Sequence, residues 1–272
     1  MRKHLSTILL IVTFLIGLSL LLYPTFSNWW NSFRQSRAIM DYAEHVSEMD
    51  NTVYERMMDE ARLYNAELNQ SGIKWELTEE EMARYNATLA VTTRGIMSNI
   101  EIPKINVQLP VYHGTGETIL QSAVGHVAGT SLPVGGTGSH CILSGHRGLP
   151  SARLFTDLDK LTTGDTFLIR TLDEVLTYEI DQINIVEPYD LSLLSIEDGE
   201  DYCTLITCTP YGINTHRLLV RGHRIETVNA VSIRVVADAL HVDPVIVAPV
   251  VSVPILLLLL FVTLVTTRKK KR

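Results

Sequence analysis

At 272 residues, 46% of them hydrophobic, the chain is long enough for one globular domain with accessory segments. Its formal charge of −7 is unevenly placed: Arg2, Lys3 and residues 268–272 hold seven of the 23 basic residues, so 16 face 30 acidic ones elsewhere, a balance of −14. An acidic middle argues against nucleic acid as a partner, because phosphate recognition needs a basic footprint.

Residues 5–23 are almost wholly apolar, interrupted only by Ser, Thr and Gly. About 19 such residues can span a bilayer. Tyr23-Pro-Thr-Phe-Ser-Asn-Trp-Trp offers no small-x-small cleavage site, so the expectation is an uncleaved anchor over residues 1–23 rather than a removed signal peptide. A second uncharged run, residues 245–267, precedes the basic tail 268–272. Pro249 and Pro254 weaken that helix without excluding it. Basic residues outside both runs put both termini in the cytoplasm and the acidic middle outside the cell membrane, with the lipid bilayer as a partner.

Between the anchor and the β-rich part, residues 24–94 read as a helical stalk or lid region. Ile39, Tyr42, Ala43, Val46, Met49, Val53, Met57, Ala61 and Tyr64 recur at three- and four-residue steps, which predicts one amphipathic helix ended by Asn69-Gln-Ser-Gly72. Thr78-Glu-Glu-Glu81 reads as a capping box opening a second helix to about Thr93.

From 95 to 226 the texture changes to short β-rich runs: 100–102, 107–112, 139–144, 166–171, 175–186, 202–208 and 216–225, with Gly and Pro in the turns. Residues 151–160 read as a short helix, and 227–244 as a linker. Many short strands with turn signals predict a mostly β barrel or sandwich.

The chemistry concentrates in Thr204-Leu-Ile-Thr-Cys208-Thr-Pro-Tyr-Gly-Ile-Asn-Thr-His-Arg217. A hairpin turning at Pro210, Gly212 and Asn214 returns Arg217 to the end of the sheet that carries Cys208. A thiol beside a guanidinium is a nucleophile with its own oxyanion stabiliser. A general acid/base is still needed. His126, His140, His146 and His216 all lie in the β-rich region; His146, just past a strand end, is narrowly preferred on chemistry alone. His140 is expected before its strand, and alternation turns His216 to the face opposite Arg217.

These residues, together with Leu143-Ser-Gly-His146-Arg-Gly-Leu-Pro, Ile102-Pro-Lys-Ile-Asn-Val, Leu109-Pro-Val-Tyr-His-Gly-Thr, Gly129-Thr-Ser-Leu-Pro-Val-Gly-Gly and Leu154-Phe-Thr-Asp-Leu-Asp-Lys-Leu, resemble the class C, pilus-assembling sortases of Gram-positive bacteria. The resemblance covers residues 100–226, about half of the chain. It implies an eight-stranded barrel under an N-terminal helical cap. It also implies a cysteine transpeptidase that cleaves an LPXTG-type sorting signal between Thr and Gly and passes the acyl group to a pilin lysine. Cys208 would be the nucleophile, His146 the acid/base and Arg217 the oxyanion stabiliser, with Thr207 and Thr209 as candidate substrate-binding positions. No cofactor is implied, and no His/Cys/Asp/Glu grouping has metal spacing. Two other acceptors stay open: a peptidoglycan-precursor amine, as in wall-anchoring sortases, or water, as in a membrane-tethered cysteine protease. Pilus sortases carry an Asp-Pro-aromatic lid motif. Here no proline occurs between Pro24 and Pro103, and Trp75 is the one obvious aromatic substitute. Specificity is expected in the loops 190–201 and 209–215.

Cys203 and Cys208 share a predicted strand about 16 Å apart, beyond the reach of a disulfide. Cys141 precedes His146 by five residues, as Cys203 precedes Cys208. Parallel pairing of those strands makes Cys141 and Cys203 buried neighbours, expected as free thiols.

Overall fold

A computed structural model describes residues 2–93 and 95–227. The first helix, α1 (Arg2–Ser47), carries Pro24 inside it. Its candidate span Leu9–Ser47 reaches a mean hydropathy of 2.2 in its most apolar stretch, none of which is buried, so it is long and apolar enough to cross a membrane. The second apolar run, 245–267, lies outside the described residues.

The single amphipathic helix expected over 39–64 is two helices. The helical run stops at Ser47, and Asp50, in an extended conformation, caps α2 (Asn51–Ser71) by accepting from the Thr52 N–H. A capping carboxylate competes with helix continuation, and the apolar periodicity conceals it. α2 ends at Gly72 with φ 79°, its N–H bonded to Leu68 O at 2.7 Å. The Thr78/Glu81 capping box opens α3 as expected, but α3 (Glu79–Ala87) stops short of Thr93.

The described residues from Trp30 onward form one compact unit, and α1 up to Trp29 belongs to another. The larger unit is built on eight strands: β1 (Ile96–Ile102), β2 (Val107–His113), β3 (Val124–His126), β4 (Ser139–Ser144), β5 (Thr166–Thr171), β6 (Glu174–Val186), β7 (Asp201–Thr209) and β8 (His216–Ile225). They close into a barrel in the order β1-β2-β3-β4-β7-β8-β6-β5. β2–β3 and β4–β7 are parallel pairs, and the remaining neighbours are antiparallel. The short β3 falls outside the predicted strands. Gly125 at its centre allows a close crossing: a Cβ there would lie 2.3 Å from Gly114 O. The helix expected over 151–160 is only a 3-10 turn, Leu158–Lys160, because Leu154 takes a positive φ of 36° that a right-handed helix cannot contain.

The helices are part of the core and not a detachable stalk. Tyr42, Met58, Ala61, Leu68 and Tyr85 are buried in the same apolar cluster as Ile100, Leu143, Phe155, Phe167, Leu205 and Val220. Tyr42 Oη donates to Met97 O (3.0 Å) and accepts from Leu172 N–H (2.7 Å). Asn65 donates to Leu132 O (3.0 Å) and Gly135 O (3.2 Å) and accepts from Leu132 N–H (2.7 Å). These bonds seat α2 on the β3–β4 connection.

Candidate functional site

Two strand pairings build the site. β7 and β8 pair antiparallel with Cys208 directly opposite Arg217. Their connection carries a cis Thr209-Pro210 bond and accepts Ile213 and Asn214 N–H groups on Pro210 O at 3.1 and 3.0 Å. Alternation then sorts the faces. Thr207 and Leu218 are buried in the barrel, whereas Cys208 and Arg217 are half-exposed on the outside.

The parallel β4–β7 pairing matches Cys141 with Cys203 and ends with Ser144 opposite Ile206. The match continues past the strand: Gly145 N–H donates to Ile206 O at 3.0 Å, and Thr207 Oγ1 donates to Gly145 O at 2.7 Å. His146, the next residue, follows this match by one position, as Cys208 follows Thr207, and is half-exposed. A Cβ on Gly145 would lie 2.6 Å from the Phe155 ring, so a glycine lets that ring pack beneath the turn. Phe155 N–H in turn donates to His146 O at 3.1 Å.

The outer face leading to Cys208 is apolar. Ile142, Leu219 and Ile206 pack there with Leu193 and Leu194 of the β6–β7 connection. Exposed Tyr189 and Leu191 on that connection, and exposed Tyr211 and Ile213 after β7, border the same end. Arg217 donates through Nη1 to Asn214 O (3.3 Å) and His216 O (3.1 Å) and makes no ion pair among the described residues. Its charge is therefore left for an anion, such as the oxygen of a tetrahedral adduct on Cys208.

The competing histidines are engaged elsewhere. His126 is buried, with ring contacts to Tyr85 Oη (2.9 Å) and Ser131 O (2.8 Å). His140 lies inside β4 and not before it. Its ring nitrogens contact Ser195 O and Thr204 Oγ1, each at 2.7 Å, and burial holds it below the ordinary imidazole pKa. His216 pairs in register with Thr209 and sits 3.3 Å from Glu187.

Thr207 does not line the outer face: it is buried, and its hydroxyl is committed to Gly145. Thr209 is also buried, and its hydroxyl accepts from Arg147 Nη1 at 3.2 Å. Trp75, 43% exposed, borders a hollow with Ile73, Leu191, Leu194 and Ile196, and none of Cys208, His146 and Arg217 lines it. Arg147 was not singled out from the sequence. Its guanidinium is buried between the His146 turn and the β7–β8 connection, and only its place next to a candidate histidine could have drawn notice. Cys141 and Cys203 are buried free thiols matched in register, and burial pushes the Cys203 thiol well up. Among the described residues no three His, Cys, Asp or Glu side chains gather as a metal site.

Comparison with known proteins identifies the family. The family described as "Sortase domain" matches residues 100–225. Sortase C1 of Streptococcus agalactiae is 54% identical, with a TM-score of 0.70 over 71% of this chain and 100% of that one. Sortase C of Streptococcus pneumoniae is 44% identical, with a TM-score of 0.63 over 70% and 97%. Clostridium perfringens sortase C, solved with the C-terminal cell wall sorting motif, is 40% identical, with a TM-score of 0.63 over 71% and 100%.

Proposed function

Within the sortase family of cysteine transpeptidases, to which this chain belongs, we propose that it works as a class C enzyme that polymerises pilin subunits. The observation that carries this reading is the 54% identity to sortase C1 of Streptococcus agalactiae over the whole of that chain, and the pairing of Cys208 with Arg217 across β7 and β8 supports it.

The Cys208 thiolate attacks the Thr carbonyl of an LPXTG-type signal, forming a C–S bond and an oxyanion held by Arg217. Collapse breaks the Thr–Gly C–N bond, and His146 protonates the departing glycine amine. A thioester remains on Cys208. A lysine amine of the next pilin then attacks the thioester, His146 takes its proton, and collapse releases the thiolate. One amide is exchanged for another, so no external energy source is needed. Exposed Tyr189, Tyr211 and Ile213, on the segments before and after β7, offer apolar surface for the Leu-Pro part of such a signal. The Clostridium perfringens neighbour carries a sorting motif, and the Streptococcus pneumoniae study concerns pilin substrate specificity.

α1 anchors the enzyme in the cell membrane. The basic residues at both ends favour an arrangement in which a second span, 245–267, returns the chain so that both termini are cytoplasmic and the catalytic unit is extracellular.

Intact-mass analysis of the detergent-solubilised chain with an LPXTG peptide and a lysine-bearing pilin fragment tests the reading. The wild type should form a thioester adduct that resolves into an isopeptide, and Cys208→Ala should form none. An adduct that resolves only onto a peptidoglycan-type amine would reassign the enzyme to wall anchoring. One that resolves only with water would make it a protease.

A further inference from the structure

We propose that Arg147 is a positioning residue that holds His146 against Cys208 by clasping the two segments that carry them. Its side chain is 8% exposed and ion-paired with Asp159. From that pair the guanidinium reaches across to donate Nη1 to Thr209 Oγ1 at 3.2 Å. Thr209 directly follows Cys208, and His146 directly precedes Arg147. Cζ lies 6.0 Å from the centre of the Tyr211 ring, and that ring rests on Gly148, where a Cβ would approach it to 3.1 Å. One guanidinium therefore joins three segments: the turn after β4, the turn 158–160 and the β7–β8 connection.

The arrangement is costly for the fold alone. A buried guanidinium loses hydration, and here Nε is buried without a partner. A hydrophobic side chain would fill this space without that penalty. What it could not supply is a directional link between the backbone at 147 and the hydroxyl beside Cys208. A planar fork reaches Asp159 and Thr209 at once, and a lysine ammonium reaches one of them. The reacting groups of a thiol–imidazole pair tolerate little displacement, since about 1 Å of misplacement lowers a rate as much as a hundredfold.

The inference rests on the roles proposed for His146 and Cys208, and the test separates the two. Arg147→Met, Arg147→Lys and Thr209→Val are prepared in the full chain in detergent, alone and with His146→Ala. Turnover and KM are measured with an LPXTG peptide, and iodoacetamide labelling of Cys208 is followed against pH in the native protein. Native labelling reports Cys208 alone, because Cys141 and Cys203 are 2% and 0% exposed.

Arg147→Met should lower kcat about ten- to a hundredfold and leave KM within about twofold. Its labelling profile should move toward that of His146→Ala, and it should add no further change in the His146→Ala background. Arg147→Lys should recover part of the loss. If Arg147→Met fails to fold, Thr209→Val, which deletes only one acceptor, should show the same shift in smaller degree. A rise in KM at unchanged kcat would make Arg147 a substrate contact and overturn the proposal. So would an unmoved labelling profile, or an equal loss in the His146→Ala background. A wild type that forms no thioester would instead remove the roles of Cys208 and His146.

Discussion

Replacing Thr207 with Val separates a substrate contact from a structural tie. Thr207 is 1% exposed, and its hydroxyl donates to Gly145 O at 2.7 Å, one residue before His146. Valine keeps the shape and removes the donor, so the loss is that of a buried hydrogen bond, about 1–3 kcal/mol. For a unit of this size each kcal/mol lowers Tm by about 2–4 °C, so the expected fall is roughly 2–12 °C. The Gly145 turn, released from β7, should also let His146 drift from Cys208, so kcat should fall while KM holds. Thr207→Ser keeps the hydroxyl and should recover most of kcat. Thermal unfolding and steady-state transfer of an LPXTG peptide are the two assays. A Thr207→Val protein of wild-type stability with a raised KM would refute this account and restore Thr207 to the substrate groove.

Arg217→Lys should retain substrate binding yet lose about a hundredfold or more in kcat, the usual effect of removing one oxyanion donor; near-normal turnover would remove the oxyanion role. Iodoacetamide applied to unreduced, denatured protein should label all three cysteines, and a mass showing only Cys208 labelled would reveal a Cys141–Cys203 bridge. Burial holds His113 and His140 below the ordinary imidazole value. The unfolded chain then binds more protons than the folded one, so their stabilisation is lost as pH falls through about 6.5 toward the depressed folded values. Asp201, raised by burial above its ordinary value of 3.8, acts in the opposite sense from there upward. The discriminating readout is therefore the slope of Tm against pH. It should be flatter in His140→Asn than in wild type between about pH 7.5 and 5.5, and identical slopes would count against a buried neutral His140.

Strands whose ends coincide with turn residues were legible in the sequence: β4, β5 and β8 begin and end at the predicted residues. β3 was not, because three residues around Gly125 carry no period. The Cys208–Arg217 pairing was legible through a local hairpin, and the Cys141–Cys203 register through matched five-residue offsets, whereas His146 stood out only narrowly by its place past a strand end and otherwise by the family resemblance. Arg147 was not legible in the same way. Its partners lie 12 and 62 residues away, in segments with no periodic signal.

The two threonines flanking Cys208 are both buried, as strand alternation requires. In a strand, neighbouring side chains face opposite ways. If Cys208 is to meet a peptide on the outside of the barrel, Thr207 and Thr209 face the other way, toward buried partners. Chain proximity to a nucleophile therefore argues against direct substrate contact within a strand, and for a role in holding what lies behind it. Both hydroxyls are used in that sense, Thr207 on the backbone at Gly145 and Thr209 on the side chain of Arg147. The turn that carries His146 is thus tied twice to β7 from the protected side of the sheet. On the other side of the sheet Cys208, His146 and Arg217 are half-exposed.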